Sequence, residues 1–231
     1  MTAENAELSI VVAIHNQESA VARIINSLLE RLDAEYPGKF EIILVDQAST
    51  DNSQASIIAL ANQRSLIRLN RIDSPIDGLS LKRGLEAAIS AHVVWCRLED
   101  CHFDTVWSLY KALGDADIVL SHDDTAQKQS IRAKVKGIAC KVAKKALSFS
   151  PDQCFAPMAI KVPALNGLSY QIDAHRSNFV AELLLRAHKK GLQITEIAAE
   201  SSPKSMPIAQ LPQNAAALGR AIFRARFKKD A

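Results

Sequence analysis

The chain has 231 residues, 48% of them hydrophobic and 23% charged, with a formal net charge of +3. That make-up is ordinary for a soluble globular protein of one substantial domain, with two possible, and so small a charge does not by itself imply a nucleic-acid partner. No apolar run reaches the roughly 20 residues needed to span a bilayer, the beginning MTAENAEL is polar and acidic rather than a secretory leader, and the four cysteines form neither C-x-x-C nor a zinc spacing, which predicts free thiols in a reducing compartment. The expected location is the cytoplasm, or the inner face of a membrane.

In chain order, LSIVVAI at 8–14 predicts a first strand, with His15, Asn16, Gln17 and Glu18 as the turn after it. Residues 19–32 place Val21, Ile24, Ile25, Leu28, Leu29 and Leu32 at helical spacing. Pro37-Gly38 breaks the chain, and FEIILVDQASTD follows at 40–51. Its continuous apolar run suits a strand covered on both faces, as in parallel sheets. Asp46 ends that strand, either at a ligand-binding sheet edge or simply capping a turn. Asp51 or Ser53 can cap the next helix, at 52–62. A short third strand is expected at 66–70, then a loop at Pro75 and Gly78, then a helix starting at Ser80 or Leu81 whose Gly84, Ala87 and Ala88 leave a thin face.

VVWC at 93–96 is the fourth strand, followed by Arg97-Leu98-Glu99-Asp100; a helix is expected at 103–113 and a fifth strand at 117–120. This βαβαβαβαβ order predicts an α/β fold with a mostly parallel central sheet flanked by helices. Residues 130–147 form a basic amphipathic pattern, read as a solvated face or as a partner, phosphate or membrane surface. An extended segment at 152–160, a short helix at 163–168, an amphipathic helix at 178–190 capped by Gly191 and a last strand at 192–198 complete the ordered part. The tail at 215–229 mixes Leu218, Ile222 and Phe223 with five basic residues, which suits either a surface-bound membrane helix or one packed on the domain.

Three strand ends carry polar groups that can converge: His15, Asn16 and Glu18; Asp46 and Gln47; Glu99, Asp100 and His102. A nucleotide requires acceptors for its base and ribose, and a divalent cation or basic groups for its diphosphate. Asp46 suits the base or ribose. Asp100 and His102 alternate along an extended segment and can hold one divalent cation, Mg2+ or Mn2+, through an oxygen and an imidazole. No strand is followed by G-x-G-x-x-G, no P-loop is present and no G-x-S-x-G occurs, so the sequence gives no support to a dinucleotide site, a P-loop or a nucleophile elbow.

The succession IVVAIHNQE, EIILVDQASTD, DGLSLKRGLEAAISA, VVWCRLEDCHF resembles the glycosyltransferase family 2 pattern on the GT-A fold. The later segments DIVLSH, DQCFAPMAI, the helix and strand at 178–198 and Pro203-Lys204-Ser205-Met206 extend the likeness toward dolichyl-phosphate mannose synthases and related polyprenyl-phosphate glycosyltransferases. The resemblance implies one GT-A domain over 1–206 with a basic amphipathic helix at 207–231. It implies a nucleotide-sugar donor held by Ile14, Asn16, Glu18, Asp46, Gln47, Lys82, Glu99, His122 and Lys204, and a cation on Asp100 and His102. Asp100, Asp104 and Arg132 would serve the reaction, with Asp104 or Asp124 as base for a hydroxyl acceptor. The implied partners are the donor, a lipid phosphate or other acceptor, and a membrane surface, with no nucleic acid. The pattern departs from the family at Leu98, where the first D-x-D aspartate is expected, and at Gln47, Ala48 and His15. Two activities therefore stand side by side: inverting sugar transfer, and a non-catalytic relative that binds a nucleotide, sugar or protein.

Overall fold

The computed structural model describes residues 6–122, 156–172 and 179–198. The strands are β1 (Leu8–Ile14), β2 (Phe40–Gln47), β3 (Ile67–Ile72), β4 (His92–Arg97), β5 (Ile118–His122), β6 (Met158–Lys161) and β7 (Ile194–Ala198). The helices are α1 (Glu18–Glu35), α2 (Ser53–Gln63), α3 (Asp77–Ala87), α4 (Phe103–Ala112), α5 (Val162–Leu165) and α6 (Phe179–Lys189). Single 3-10 turns lie at Leu98–Asp100 and Leu168–Gln171.

The seven strands form one sheet in the order β3-β2-β1-β4-β6-β5-β7. All neighbours are parallel except β6, which is antiparallel to both β4 and β5. The α/β arrangement expected from the sequence is therefore present, a mostly parallel sheet between helical layers. Alternation along each strand assigns the two faces. Ile10, Val12, Ile14, Ile42, Leu44, Val94 and Cys96 pack under α1, α2 and α4. Val11, Ala13, Ile43, Val45, Val93 and Trp95 pack under α3 and α6. This is why β1 and β2 read as unbroken apolar runs: every β1 residue is buried, on one face or the other. The buried stripe of α1 consists of the six residues whose spacing predicted it.

Helix α3 starts at Asp77, earlier than expected from Ser80 or Leu81, so Gly78 belongs to its first turn and not to a loop. The reason is tertiary. A Cβ on Gly78 would lie 2.6 Å from the Cβ of Phe179, and one on Gly84 would strike Val11, so both glycines let α3 lie close against its neighbours. Trp95 Nε1 donates to Ser80 Oγ at 3.1 Å, and Ser80 Oγ donates to the Asp77 carbonyl at 2.8 Å, which ties the start of α3 to β4. Helix α6 ends as expected at Gly191, with φ +78°. The Leu192 N–H reaches the Ala187 carbonyl and the Gly191 N–H the His188 carbonyl, the paired bonds of a Schellman cap.

Strand β3 runs on to Ile72, β5 to His122, and the helix after β6 stops at Leu165. Cys96 and Cys101 are free and buried, and the neighbouring Cys101 together with burial pushes the Cys96 thiol up, so it is not a reactive thiolate. Among the described residues no helix is long and apolar enough to cross a membrane. The basic segment 130–147, the tail 207–231, Asp124, Arg132, Lys204, Cys140 and Cys154 lie outside the described residues.

Candidate functional site

Strand order reverses beside β1: the chain proceeds from β1 to β2 and β3 on one side, then places β4 on the other. At such a switch point the connections leave the carboxyl ends in opposite directions and open a crevice between them. Ala13 pairs with Arg97 across it, and Gln17 Nε2 donates to Glu99 Oε2 at 2.9 Å, so the loops after β1 and β4 meet there. β6 pairs Met158 with both Trp95 and Leu120. Arg97 and His122, each two residues further on, therefore leave the sheet at the same level.

The loops after β1 and β2 are joined bond by bond. His15 Nδ1 lies 2.7 Å from the Gln47 carbonyl; the Asn16 N–H donates to Ser49 Oγ at 3.1 Å; and Asn16 Oδ1 accepts the Thr50 N–H at 2.7 Å. The Gln17 N–H donates to Ser53 Oγ at 2.8 Å. The Asp51 carboxylate accepts the N–H of Glu18 at 3.0 Å and of Ser53 at 2.9 Å, so it serves the first turns of α1 and α2 together. The Ser53 side chain, with these backbone bonds, lowers the Asp51 carboxyl from its ordinary value. Glu18 accepts the Asn52 side-chain amide at 3.1 Å. Asn16 and Glu18 thus build the rim. Two non-glycine residues, Asn16 (φ 51°) and Ala48 (φ 53°), take left-handed backbone to allow it.

Asp46 and Gln47 leave β2 toward opposite faces. Asp46 shares its parity with Ile42 and Leu44, is fully buried, accepts the Ser49 N–H through Oδ1 at 3.1 Å, and faces Arg71 Nε at 3.6 Å. Among the described residues its Oδ2 has no hydrogen-bond donor. The turn-capping expectation for Asp46 is met by one oxygen, and the other is a buried acceptor without a hydrogen-bond donor among the described residues. Gln47 points the other way and donates Nε2 to Asp77 Oδ1 at 3.2 Å. Ile14 is buried beside Asp46 in register.

The other side of the edge is charged. Arg97 places Nε and Nη2 at 3.3 and 3.2 Å from Asp100 Oδ2, with Glu99 Oε1 3.8 Å away. Burial pushes the Asp77 carboxyl up; the charge of Arg97 and the bond from Gln47 act against this, and Glu99 and Asp100 add to it. Asp77 and Arg97 were not singled out from the sequence. The one signal was position: Arg97 ends β4, and Asp77 opens the helix beyond Pro75. Leu98, read as standing at the first D-x-D position, is buried in the core under α1, α2 and α4 and does not face this edge.

Three expected residues stand apart from this cluster. Asp104 is exposed on α4 and pairs with Arg31 at 3.2 Å. Arg31 lies thirteen residues along α1 from Glu18, roughly 20 Å down the helix from the crevice. Lys82 donates Nζ to the Ile172 carbonyl at 3.1 Å and anchors that segment. His102 is exposed at the start of α4.

Comparison with known proteins agrees with this fold. The family model described as glycosyl transferase family 2 matches residues 9–96. The matched segment, residues 9–96, is similar to family 2 glycosyltransferases. It comprises β1 through most of β4, the part that builds one wall of the crevice. No curated protein matches the chain in sequence. Crystal structures of glucosyl-3-phosphoglycerate synthase from Mycobacterium tuberculosis are similar in fold. One, in complex with Mn2+, uridine diphosphate and phosphoglyceric acid, has a TM-score of 0.69 at 18% identity, covering 98% of this chain and 81% of that one. A second structure of that enzyme gives 0.69 at 17% identity, covering 98% and 83%. A third, with Mn2+, uridine diphosphate and glucosyl-3-phosphoglycerate, gives 0.61 at 18% identity, covering 98% and 82%.

Proposed function

We propose that this protein is an enzyme that transfers a sugar, with inversion, from a nucleotide-sugar donor to a phosphate-bearing acceptor. The observation that carries the reading is the convergence of Gln47, Asp77, Arg97, Glu99 and Asp100 on the carboxyl edge of a GT-A sheet, at its switch point, with Asp46 at the same edge on the opposite face of β2. Asp46 Oδ2 is suited to accept a base N–H or a ribose hydroxyl, since a buried acceptor without a donor gains most from one.

The donor set fits Mg2+ or Mn2+. Such ions prefer carboxylate oxygens and are commonly held by one or two of them together with substrate phosphates. Glu99 and Asp100 would supply the oxygens; His102 is exposed at the start of α4, and among the described residues no three such side chains are grouped to hold a metal ion. The cation would act as a Lewis acid on the departing nucleoside diphosphate. A phosphate acceptor is already ionised at neutral pH, so the place of Asp104, far from the edge, does not obstruct this reading. The acceptor we favour is a polyprenyl phosphate, because the later segments resemble enzymes that use one and the basic segments would suit an anionic membrane surface. Phosphoglyceric acid, present in the similar structures, is the competing source of the phosphate.

A second reading is favoured by Leu98 lying in the core and Arg97 sitting among the carboxylates: a relative that binds the nucleotide without transferring sugar. Turnover of labelled UDP- and GDP-sugars with polyprenyl phosphate, with phosphoglyceric acid and without acceptor separates these cases. Transfer to polyprenyl phosphate is expected. Nucleotide binding without turnover would select the second reading, and no binding of any nucleotide with Mn2+ present would defeat both.

A further inference from the structure

Arg97 is where β4 leaves the sheet, and its guanidinium is paired with two carboxylates and lies in reach of the charge of a third. Asp100 is fully buried beneath it, Glu99 lies beside it, and Asp77 faces it from the first turn of α3. Both of its hydrogen bonds among the described residues go to one oxygen, Asp100 Oδ2. A guanidinium carries five N–H donors in a planar fork that matches phosphate oxygens. The Arg97 side chain is 27% exposed, whereas Asp100 beside it is fully buried. The carboxylate that would hold a divalent ion is therefore already engaged by a cation belonging to the chain itself.

We propose that Arg97 is a resident cation of the donor site: it binds the donor's diphosphate directly and, by occupying Asp100, keeps the affinity for a free divalent ion low until the diphosphate brings its own ligands. This rests on the nucleotide-sugar reading above. Removing the guanidinium then has opposite effects on two ligands. The diphosphate loses a charge-assisted fork, while the ion gains carboxylates relieved of their competitor. A residue that only held the fold together would weaken both or neither.

The test uses the full chain. Binding of UDP, and in parallel GDP, is measured calorimetrically in chelator and in excess Mn2+, and Mn2+ alone is titrated by its paramagnetic resonance signal. Arg97→Gln should weaken diphosphate binding in chelator about tenfold, the worth of one charge-assisted bond, and tighten binding of Mn2+ alone by about tenfold. Arg97→Lys keeps the charge without the fork, and should fall between wild type and Arg97→Gln on both axes; it also carries the test should Arg97→Gln fail to fold. Variants that bind the diphosphate in chelator as wild type does, or whose Mn2+ affinity does not move, would overturn the proposal. Wild type that binds neither diphosphate even in excess Mn2+ would overturn the donor reading, while the Mn2+ titration would still decide whether Arg97 guards Asp100.

Discussion

The two edges of the sheet each bury carboxylate charge beside an arginine, and they differ in how that charge is answered. At the amino edge Glu41, fully buried, accepts Ser9 Oγ at 2.6 Å and the Ile89 N–H at 2.9 Å and is paired with Arg68, whose guanidinium also bonds the Ala87 carbonyl. One negative charge meets one positive charge and two neutral donors. At the carboxyl edge Glu99 and Asp100 are paired with one guanidinium whose charge also acts on Asp77, and Asp46, facing Arg71 at 3.6 Å, has an oxygen with no hydrogen-bond donor among the described residues. Burial of charge is common to both and so marks neither as functional. What separates them is the ratio of charges: the amino edge matches one carboxylate to one guanidinium, whose Nε is left without a hydrogen-bond partner among the described residues, whereas the carboxyl edge sets more than one carboxylate against the guanidinium of Arg97.

Substitutions can break or sharpen this contrast. Glu41→Ala should have the largest effect, a loss of about 3 kcal/mol in urea unfolding, toward the low side of buried-pair losses because Arg68 is partly exposed. Diphosphate affinity should stay at the wild-type value; if it falls as well, the two edges are not separable. Asp77→Asn should act in the opposite direction and more weakly. The native carboxyl is raised by burial, so the folded state keeps a proton that the unfolded chain has lost, and stability falls as pH rises through the window above the ordinary carboxylate range. The asparagine variant should match wild type in acid and exceed it toward neutrality, and parallel pH–stability curves would count against a raised Asp77. Ala48→Gly should give the smallest change, a gain of about 0.5 kcal/mol in the same unfolding experiment, because glycine holds the left-handed backbone at φ 53° without the Cβ penalty. A loss there would mean that the Ala48 side chain contributes packing that outweighs the backbone cost.

The scaffold was readable because its signals are local. Strands covered on both faces demand unbroken apolar runs, and β1, β2 and β4 have them; α1 carries its buried stripe at plain 3.6-residue spacing. The start of α3 was misplaced because Asp77-Gly78 after a proline imitates a turn, while the need for glycine there comes from Phe179, about a hundred residues away. At the site, Asp46, Gln47, Glu99 and Asp100 were legible as strand-end polar residues. The opposite directions of Asp46 and Gln47 follow from the two-residue period of a strand, but which direction faces the charged cluster depends on which helix covers which face. Arg97 and Asp77 escaped notice because an arginine beyond a strand and an aspartate beginning a helix each look like ordinary surface residues. Their meaning comes from segments far apart in sequence meeting at one edge.

The four-residue strand β6 has a consequence for the order in which the molecule can be assembled. β1 to β4 pair only with one another and with β6, whereas both neighbours of β5, β6 and β7, lie after it in the chain. A growing polypeptide can therefore complete a four-stranded block early, yet it carries β5 with both flanks open until Met158–Lys161 has emerged to stitch it to β4. For that interval the apolar residues Ile118, Val119 and Leu120 are an unprotected edge, open to pairing with another nascent chain.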